Sequence, residues 1–156
     1  MTDYPLLIKQ LQALSDGVTY TVTKLANAAA LLYSSLERIN WACFYWLQSQ
    51  QLVLGPFQGK PACTVIPLGK GVCGTAAADD RTVVVDNVHQ FPGPIACDSA
   101  SDSEIVIPLH QNGRVVGVLD IDAPVLCRFT EEDRAGLEAF AQALEEAIGT
   151  DTTALF

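Results

Sequence analysis

Residues 91–122 read FPGPIACDSASDSEIVIPLHQNGRVVGVLDID, and the rest of the chain is organised around them. The stretch opens as a loop of Pro, Gly, Asp and Ser with one thiol, Cys97, in its middle. Two apolar-rich strands follow, joined at Gln111-Asn112-Gly113, where Asn-Gly is the strongest short-range signal for a tight hairpin. Glu104 starts the first strand, and Asp120 and Asp122 finish the second. In an antiparallel hairpin those two ends lie side by side. Residues two apart share a strand face, so Asp120 and Asp122 point the same way. The expectation is a thiol on a loop beside an acidic cluster on a rigid sheet.

Outward from the hairpin, both chain ends read as helices. Residues 4–14 predict a short amphipathic helix capped by Thr2 or Asp3, with Pro5 in its first turn, Leu7, Leu11 and Leu14 on one face, and Asp16-Gly17 ending it. Leu25, Ala28, Ala29, Leu32, Leu36 and Ile39 carry helical spacing as far as Asn40. Thr130-Glu131-Glu132-Asp133 caps a last helix whose buried face is Leu137, Phe140, Ala141, Leu144 and Ile148, and Gly149 stops it. Between them, Trp41–Leu47 is an aromatic-rich strand with Trp41, Cys43 and Tyr45 on one face and Ala42, Phe44 and Trp46 on the other. Residues 51–54 and 62–66 predict strands around a turn at Gly55-Pro56 and a loop at 58–61, and Arg81–Asp86 another strand. A loop of about fifteen residues then carries Cys97; a loop that long, stiffened by Pro92, Gly93 and Pro94, suits binding. The sum is α+β: about six antiparallel strands, with helices from both chain ends packed on one face.

At 156 residues, 49% of them apolar and 17% charged, the chain predicts one globular domain able to bury a core. No apolar run approaches the ~20 residues of a membrane span, and the N-terminus lacks the marks of a signal peptide, so a cytoplasmic protein is expected. A net charge of -9 argues against nucleic acid or an anionic membrane surface as partner and favours a cationic or zwitterionic small ligand. Five cysteines, an odd number, fit transient thiol chemistry better than a structural disulfide framework.

Several chemistries compete for these residues. Gly69, Gly71 and Gly74 match G-x-G-x-x-G and Asp86 follows, as in a dinucleotide site, but the helix after them (Val72–Ala78) is short and the next strands form a hairpin. The plainer reading is a turn with close packing. Cys63, Cys73, Cys97, His89 and His110 show none of the close paired spacings of a zinc site, so no metal is expected and both histidines read as surface or loop residues. A Cys–His nucleophile built on Cys97 and His89 or His110 is disfavoured, because nearby carboxylates raise a thiol's pKa. Thiol redox chemistry fits better: a cysteine oxidised to a sulfenic acid needs a second thiol, and Cys63 and Cys73 both offer one to Cys97. Cys43 and Cys127 read as small buried hydrophobes.

The segments INWACFYWL, LVLGPFQGKPAC, IPLGKGVCGTA, IACDSASDSEIVIPL and GVLDID, in this order and spacing, resemble the free methionine-R-sulfoxide reductases, which have the GAF fold. The resemblance runs over roughly residues 20–148 and implies a single GAF-like domain over 1–156 with its core at about 18–148. It implies reduction of free L-methionine R-sulfoxide, with Cys97 as the nucleophile, Cys63 as the resolving thiol and Cys73 as an auxiliary one. It also implies that Glu104, Asp120 and Asp122 hold the substrate and assist the sulfoxide, while Trp41 and Tyr45 wall its methyl group. Thioredoxin is the implied reductant, with no bound cofactor. The oligomeric state, monomer or homodimer, stays open. The chemistry of the residues agrees: a zwitterion's ammonium wants carboxylates, and amides of the Gly93–Cys97 loop offer a nest for its carboxylate. The sulfoxide oxygen needs an acid, for which a carboxyl kept neutral by burial and like-charged neighbours, Glu104 or Asp122, is suited. The rival reading is a non-catalytic GAF-type sensor of a small ligand or of redox state. A sensor of ligand needs no particular cysteine, and a chain carrying this domain without an output domain weighs against it.

Overall fold

The computed structural model describes residues 1–93 and 100–149. Two helices, α1 (Tyr4–Ser15) and α2 (Thr21–Ser35), lead into strands β1 (Trp41–Gln48), β2 (Gln51–Gly59) and β3 (Val65–Pro67). Helix α3 (Gly71–Asp79), strand β4 (Val83–Val85), a 3₁₀ turn (Val88–Gln90), strands β5 (Ser103–Gln111) and β6 (Arg114–Ala123) and helix α4 (Glu131–Ile148) follow. The six strands form one sheet in the order β3-β2-β1-β6-β5-β4, every neighbouring pair antiparallel. This is the α+β architecture expected.

The hairpin at its centre follows the sequence signal. Gln111 pairs with Arg114, and Asn112 and Gly113 adopt φ of 53° and 74°. Both central residues are thus left-handed, the requirement of a turn that matches the strands' twist. Strand alternation then sorts the sheet into two faces. Ala42, Phe44, Trp46, Ile105, Ile107, Leu119 and Ile121 pack with α1, α2 and α4 in the main core. Trp41, Cys43, Tyr45, Val106 and Val118 form a second cluster under α3. Helix α3 links β3 at one sheet edge to β4 at the other and so crosses the face that the terminal helices leave uncovered.

Four local readings are corrected. Leu14 is exposed: the buried face of α1 is Tyr4, Leu7, Leu11 and Ser15, spaced three or four apart, with Leu14 off that stripe. Helix α2 ends at Ser35 rather than Asn40, because Leu36 turns extended and Arg38 takes φ of 55°, although Leu36 still buries its side chain. Gly55-Pro56 is not a turn. Strand β2 runs through it, with the register shifting opposite the step from Cys43 to Tyr45. Proline has no N–H to give, and β3 pairs only with residues 51–53, so Pro56 sits where β2 has a free outer edge and a bulge absorbs the missing donor. Cys127 is exposed, not buried, and holds φ of 55° after β6. The glycine motif is structural, as the plainer reading had it. Gly69 and Gly71 take φ of 79° and 63°, and a Cβ on Gly74 would meet the Pro67 carbonyl at 2.6 Å.

The terminal helices are tied by a buried polar knot at the start of α4. Thr130 and Asp133 form a reciprocal capping box. Asp133 also accepts from the Tyr4 hydroxyl at 2.7 Å and pairs with Arg128 at 3.0 Å, whose Nε reaches the Glu37 carbonyl at 2.9 Å. Burial works against the Asp133 carboxylate, but the Thr130 amide, the Tyr4 hydroxyl and Arg128 outweigh it and hold its pKa below the usual value. At the other end of α4, the ammonium of buried Lys24 donates to the Ala147 carbonyl at 2.6 Å, satisfying a last-turn carbonyl.

The Tyr4 ring lies directly over Gly136, where an added Cβ would overlap it. Because the ring is held by its hydroxyl bond, it cannot swing aside. Gly136→Ala is therefore expected to lose about 1–3 kcal/mol to overpacking, more than the ~1 kcal/mol that alanine gains in helix propensity. In a Tyr4→Ala background the same change is expected to become neutral or stabilising, and urea denaturation of the four proteins of this cycle measures the reversal.

Candidate active site

The site lies on the α3 face of the sheet, where β1, β5 and β6 run side by side. Register places Trp41 opposite Asp122, Cys43 opposite Asp120, and Glu104 opposite Asp122 across the other edge of β6. Three carboxylates from two adjacent strands therefore share one small patch of buried sheet, with Glu104 8%, Asp120 5% and Asp122 8% exposed. Helix α3 closes it from above with Cys73, whose thiol stands 3.9 Å from Glu104 Oε1. Beside it on β1, Cys43 stands 3.9 Å from Asp120 Oδ2.

Each expected wall residue proves to have a polar partner. Trp41 donates its indole N–H to Asp120 Oδ2 at 3.1 Å and stacks on Phe57 with ring centroids 4.9 Å apart. Gly59 leaves room for it, since a Cβ there would come within 2.7 Å of the Trp41 ring. Tyr45 donates its hydroxyl to the Cys63 carbonyl at 2.9 Å. That bond fastens the connection between β2 and β3 to the pocket wall. Cys63 itself is exposed, lies in that connection rather than in a strand, and is disulfide-bonded. Cys73 and Cys43 are buried free thiols. Cys97 and most of the expected Gly93–Cys97 nest lie outside the described residues.

Burial and mutual repulsion set the protonation states. Glu104 is pushed well above the usual carboxylate range, first by burial and then by the charges of Asp120 and Asp122. Asp120 is also raised by burial, although the hydrogen bonds around it pull the other way. Asp120 Oδ1 is shut from water with no donor to meet it unless a neighbouring carboxyl carries a proton. The Cys73 and Cys43 thiols are both pushed up, chiefly by burial and then by Asp120, so both rest as neutral thiols. Cys73, Glu104 and Asp120 bring ligand atoms within 4.8 Å of one another, close enough to share one small cation, whether an ammonium or a metal ion.

The histidines stand apart. His89 meets Asp102 at 3.0 Å on the surface. His110 is clasped between Asp80 at 2.6 Å and Glu145 at 2.8 Å, and Glu145 also receives its backbone N–H. It is more than a surface residue, but it sits six residues along β5 from Glu104, about 20 Å away at ordinary strand rise.

A family model described as the GAF domain matches residues 10–148. The free methionine-R-sulfoxide reductase of Escherichia coli is 51% identical over 147 residues, covering 94% of this chain and 89% of its own. Protein YtsP of Bacillus subtilis is 54% identical over 148 residues, covering 94% and 91%. The structure of the reductase of this type (fRMsr) from Staphylococcus aureus in complex with substrate superposes with a TM-score of 0.91 at 48% identity, over 96% of this chain and 97% of that one. The chain belongs to the free methionine-R-sulfoxide reductases of the GAF-domain family.

Two residues of the candidate site escape a reading of the sequence. Ser101, 1% exposed, donates its hydroxyl to Asp122 Oδ2 at 2.8 Å, and Asn40 donates its side-chain amide to Ser101 Oγ at 3.2 Å. Ser101 was one of three serines in a polar loop, and Asn40 fell where a helix was expected to end. Neither carries a local signal that it faces inward.

The raised Glu104 pKa has a consequence for stability. A group that binds its proton more tightly folded than unfolded stabilises the fold fully below its unfolded value and loses that contribution as pH rises toward the folded one. Starting near the ordinary value of 4.5, ligand-free protein should therefore lose stability with rising pH on the order of 1 kcal/mol per pH unit until the folded-state pKa is passed. Glu104→Gln keeps the neutral shape and should remove most of that slope, so the mutant should melt higher than wild type at neutral pH. Thermal melts between pH 4.5 and 8 measure it; parallel curves for the two proteins would count against a neutral buried Glu104.

Proposed function

We propose that the protein reduces free L-methionine R-sulfoxide to L-methionine, using Cys97 as the nucleophile and Cys63 as the resolving thiol. The observation that carries the reading is the buried trio Glu104, Asp120 and Asp122. It is a concentrated negative site walled by Trp41 and Tyr45, with Cys63 on an adjoining connection already engaged in a disulfide. Likeness to proteins named free methionine-R-sulfoxide reductase, and to one solved with its substrate, supports the same substrate.

The carboxylates are suited to the substrate ammonium, and the indole face of Trp41 and the ring of Tyr45 to its sulfur and methyl group. Glu104, held neutral by burial, protonates the sulfoxide oxygen, which makes sulfur open to attack. Cys97 gives up its thiol proton, which restores Glu104, and its sulfur attacks the protonated sulfoxide. The hydroxyl passes from the substrate sulfur to the Cys97 sulfur as the transient bond between the two sulfurs breaks, leaving methionine as the thioether and Cys97 as a sulfenic acid. The thiol of Cys63 then displaces water from that sulfenic acid and closes a disulfide. Two thiols of an external dithiol, thioredoxin, reopen it and are themselves oxidised, which balances the cycle. Exposure suits Cys63 to this exchange, whereas Cys73 is buried and its thiol is pushed up, so Cys73 serves in support. Restriction to the free amino acid follows from the enclosed site, since a peptide would have no ammonium to place against the carboxylates.

With a thioredoxin system, wild type is expected to consume the R and not the S sulfoxide of free L-methionine, and Cys97→Ser to lose at least 10³-fold in kcat/KM. Cys63→Ser should still release about one equivalent of methionine per protein in a rapid first turnover and then stall. Failure of wild type on both isomers would sink the reductase reading, and full activity of Cys97→Ser would move the nucleophile.

A further inference from the structure

We infer that Asn40 and Ser101 are positioning residues that fix Asp122 as the ionised partner and so leave Glu104 as the acid. The inference rests on the reductase reading and supplies what holds Asp122 charged beside the acid that the reading names.

The direction of two hydrogen bonds carries the argument. A serine hydroxyl has one proton. Asn40 Nδ2 donates to Ser101 Oγ at 3.2 Å, so the Ser101 oxygen is already an acceptor there, and its proton is directed to Asp122 Oδ2 at 2.8 Å. A hydrogen bond donated to Asp122 favours its charged form, because a carboxylate oxygen is a stronger acceptor than the carbonyl oxygen of a neutral carboxyl. The relay is held from both sides by backbone: the Asn40 amide donates to the Asp122 carbonyl at 3.0 Å, and the amide of Asp102 to the Ala123 carbonyl at 2.8 Å. Ser101 is thereby pinned against the end of β6, four residues along the chain from Cys97.

Glu104 has the opposite surroundings. Its neighbours are the Asp120 carboxylate, to which it must bring a proton for a hydrogen bond to form, and the Cys73 thiol, a weak donor at 3.9 Å. The groups that face Asp122 are Glu104 from β5, Asp120 on its own strand, Cys43 and Tyr45 from β1 and Cys73 from α3, all neutral or acidic. With two acidic neighbours and no cation among these groups, one carboxyl must carry a proton, and the donor on Asp122 favours Asp122 as the one that keeps its charge. The role assigned to Ser101 is exerted through Asp122, the group its hydroxyl meets.

The test is the pH profile of kcat/KM for the R sulfoxide. Catalysis needs Asp122 ionised and Glu104 protonated, so the acidic limb reports the first and the alkaline limb the second, as macroscopic values of the cluster. Ser101→Ala removes the donor and should shift the acidic limb upward by about one pH unit, a roughly tenfold loss below the limb, while the alkaline limb moves far less. Ser101→Thr should restore the profile. Asn40→Asp, at a half-exposed position, turns the relay's first donor into an acceptor that draws the Ser101 proton away from Asp122, and should reproduce the shift even if Ser101→Ala does not fold. A second readout is the infrared C=O band of a protonated carboxyl in ligand-free wild type, which Glu104→Gln should abolish and Asp122→Asn should retain. An unchanged acidic limb in both Ser101→Ala and Asn40→Asp, or a band lost with Asp122→Asn and kept with Glu104→Gln, overturns the assignment while leaving the reductase standing. Absence of turnover in wild type is instead a failure of the reductase reading, and the infrared band then decides the assignment alone.

Discussion

Three carboxylates held side by side on a buried sheet face are the constraint on which the rest of this structure turns. Strand alternation makes the arrangement unavoidable once β5 and β6 pair: Glu104 opposite Asp122, with Asp120 two residues back, places all three on the face that α3 covers. Burying charge without a partner is expensive, and proteins commonly escape by neutralising the group. Here the escape is partial. Glu104 takes up a proton, the Trp41 indole serves Asp120, and Ser101 serves Asp122. What is left is a buried patch with excess negative character.

The protein does contain buried cations, but they are used elsewhere. Lys24 closes the end of α4, and Arg128 joins Asp133, Tyr4 and the Glu37 carbonyl at its start. Those contacts stabilise the terminal-helix layer, where hydrophobic burial is also concentrated. The two faces of the sheet thus divide the work. One buries the larger share of the apolar side chains, and the other holds polar groups whose burial opposes folding, a division in which strain at a site is supported from outside it.

How much of this could be read from the chain depends on whether a residue's fate was decided locally. The hairpin, the two-faced alternation of β1, the caps of α4 and the inward aspect of Glu104, Asp120 and Asp122 all follow from periodicity and turn chemistry, and they stand as expected. Local pattern failed where tertiary packing outvoted it. Leu36 keeps a helical spacing yet buries itself from an extended backbone, and Gly55-Pro56 has turn residues yet lies in a strand, because only the limited reach of β3 makes a bulge there harmless. Ser101, Asn40 and the clasp on His110 are contacts between residues 61, 21 and 35 positions apart or similar, and no single segment announces such a partner. The cysteines show the same divide. Nothing around Cys127 in sequence says that a left-handed turn exposes it, whereas the burial of Cys43 follows from its place on β1.

His110 makes the logic of the site clearer by contrast. It too lies between two carboxylates, but it is about a third exposed, and an imidazole is there to take the proton. Burial lowers its pKa, yet the bonds and charges of Asp80 and Glu145 outweigh that and hold it above the ordinary value. Acidic charge there is answered from within the protein, and the result is a clasp joining the end of α3 to β5 and α4. At the other end of β5 no imidazole, ammonium or guanidinium is among the described partners of the trio, so the charge is answered by protons and hydroxyls that can be given up. The same element, acidic at both ends, is a structural tie where a base is built in and, at its other end, a buried acidic patch with no cation among its described partners.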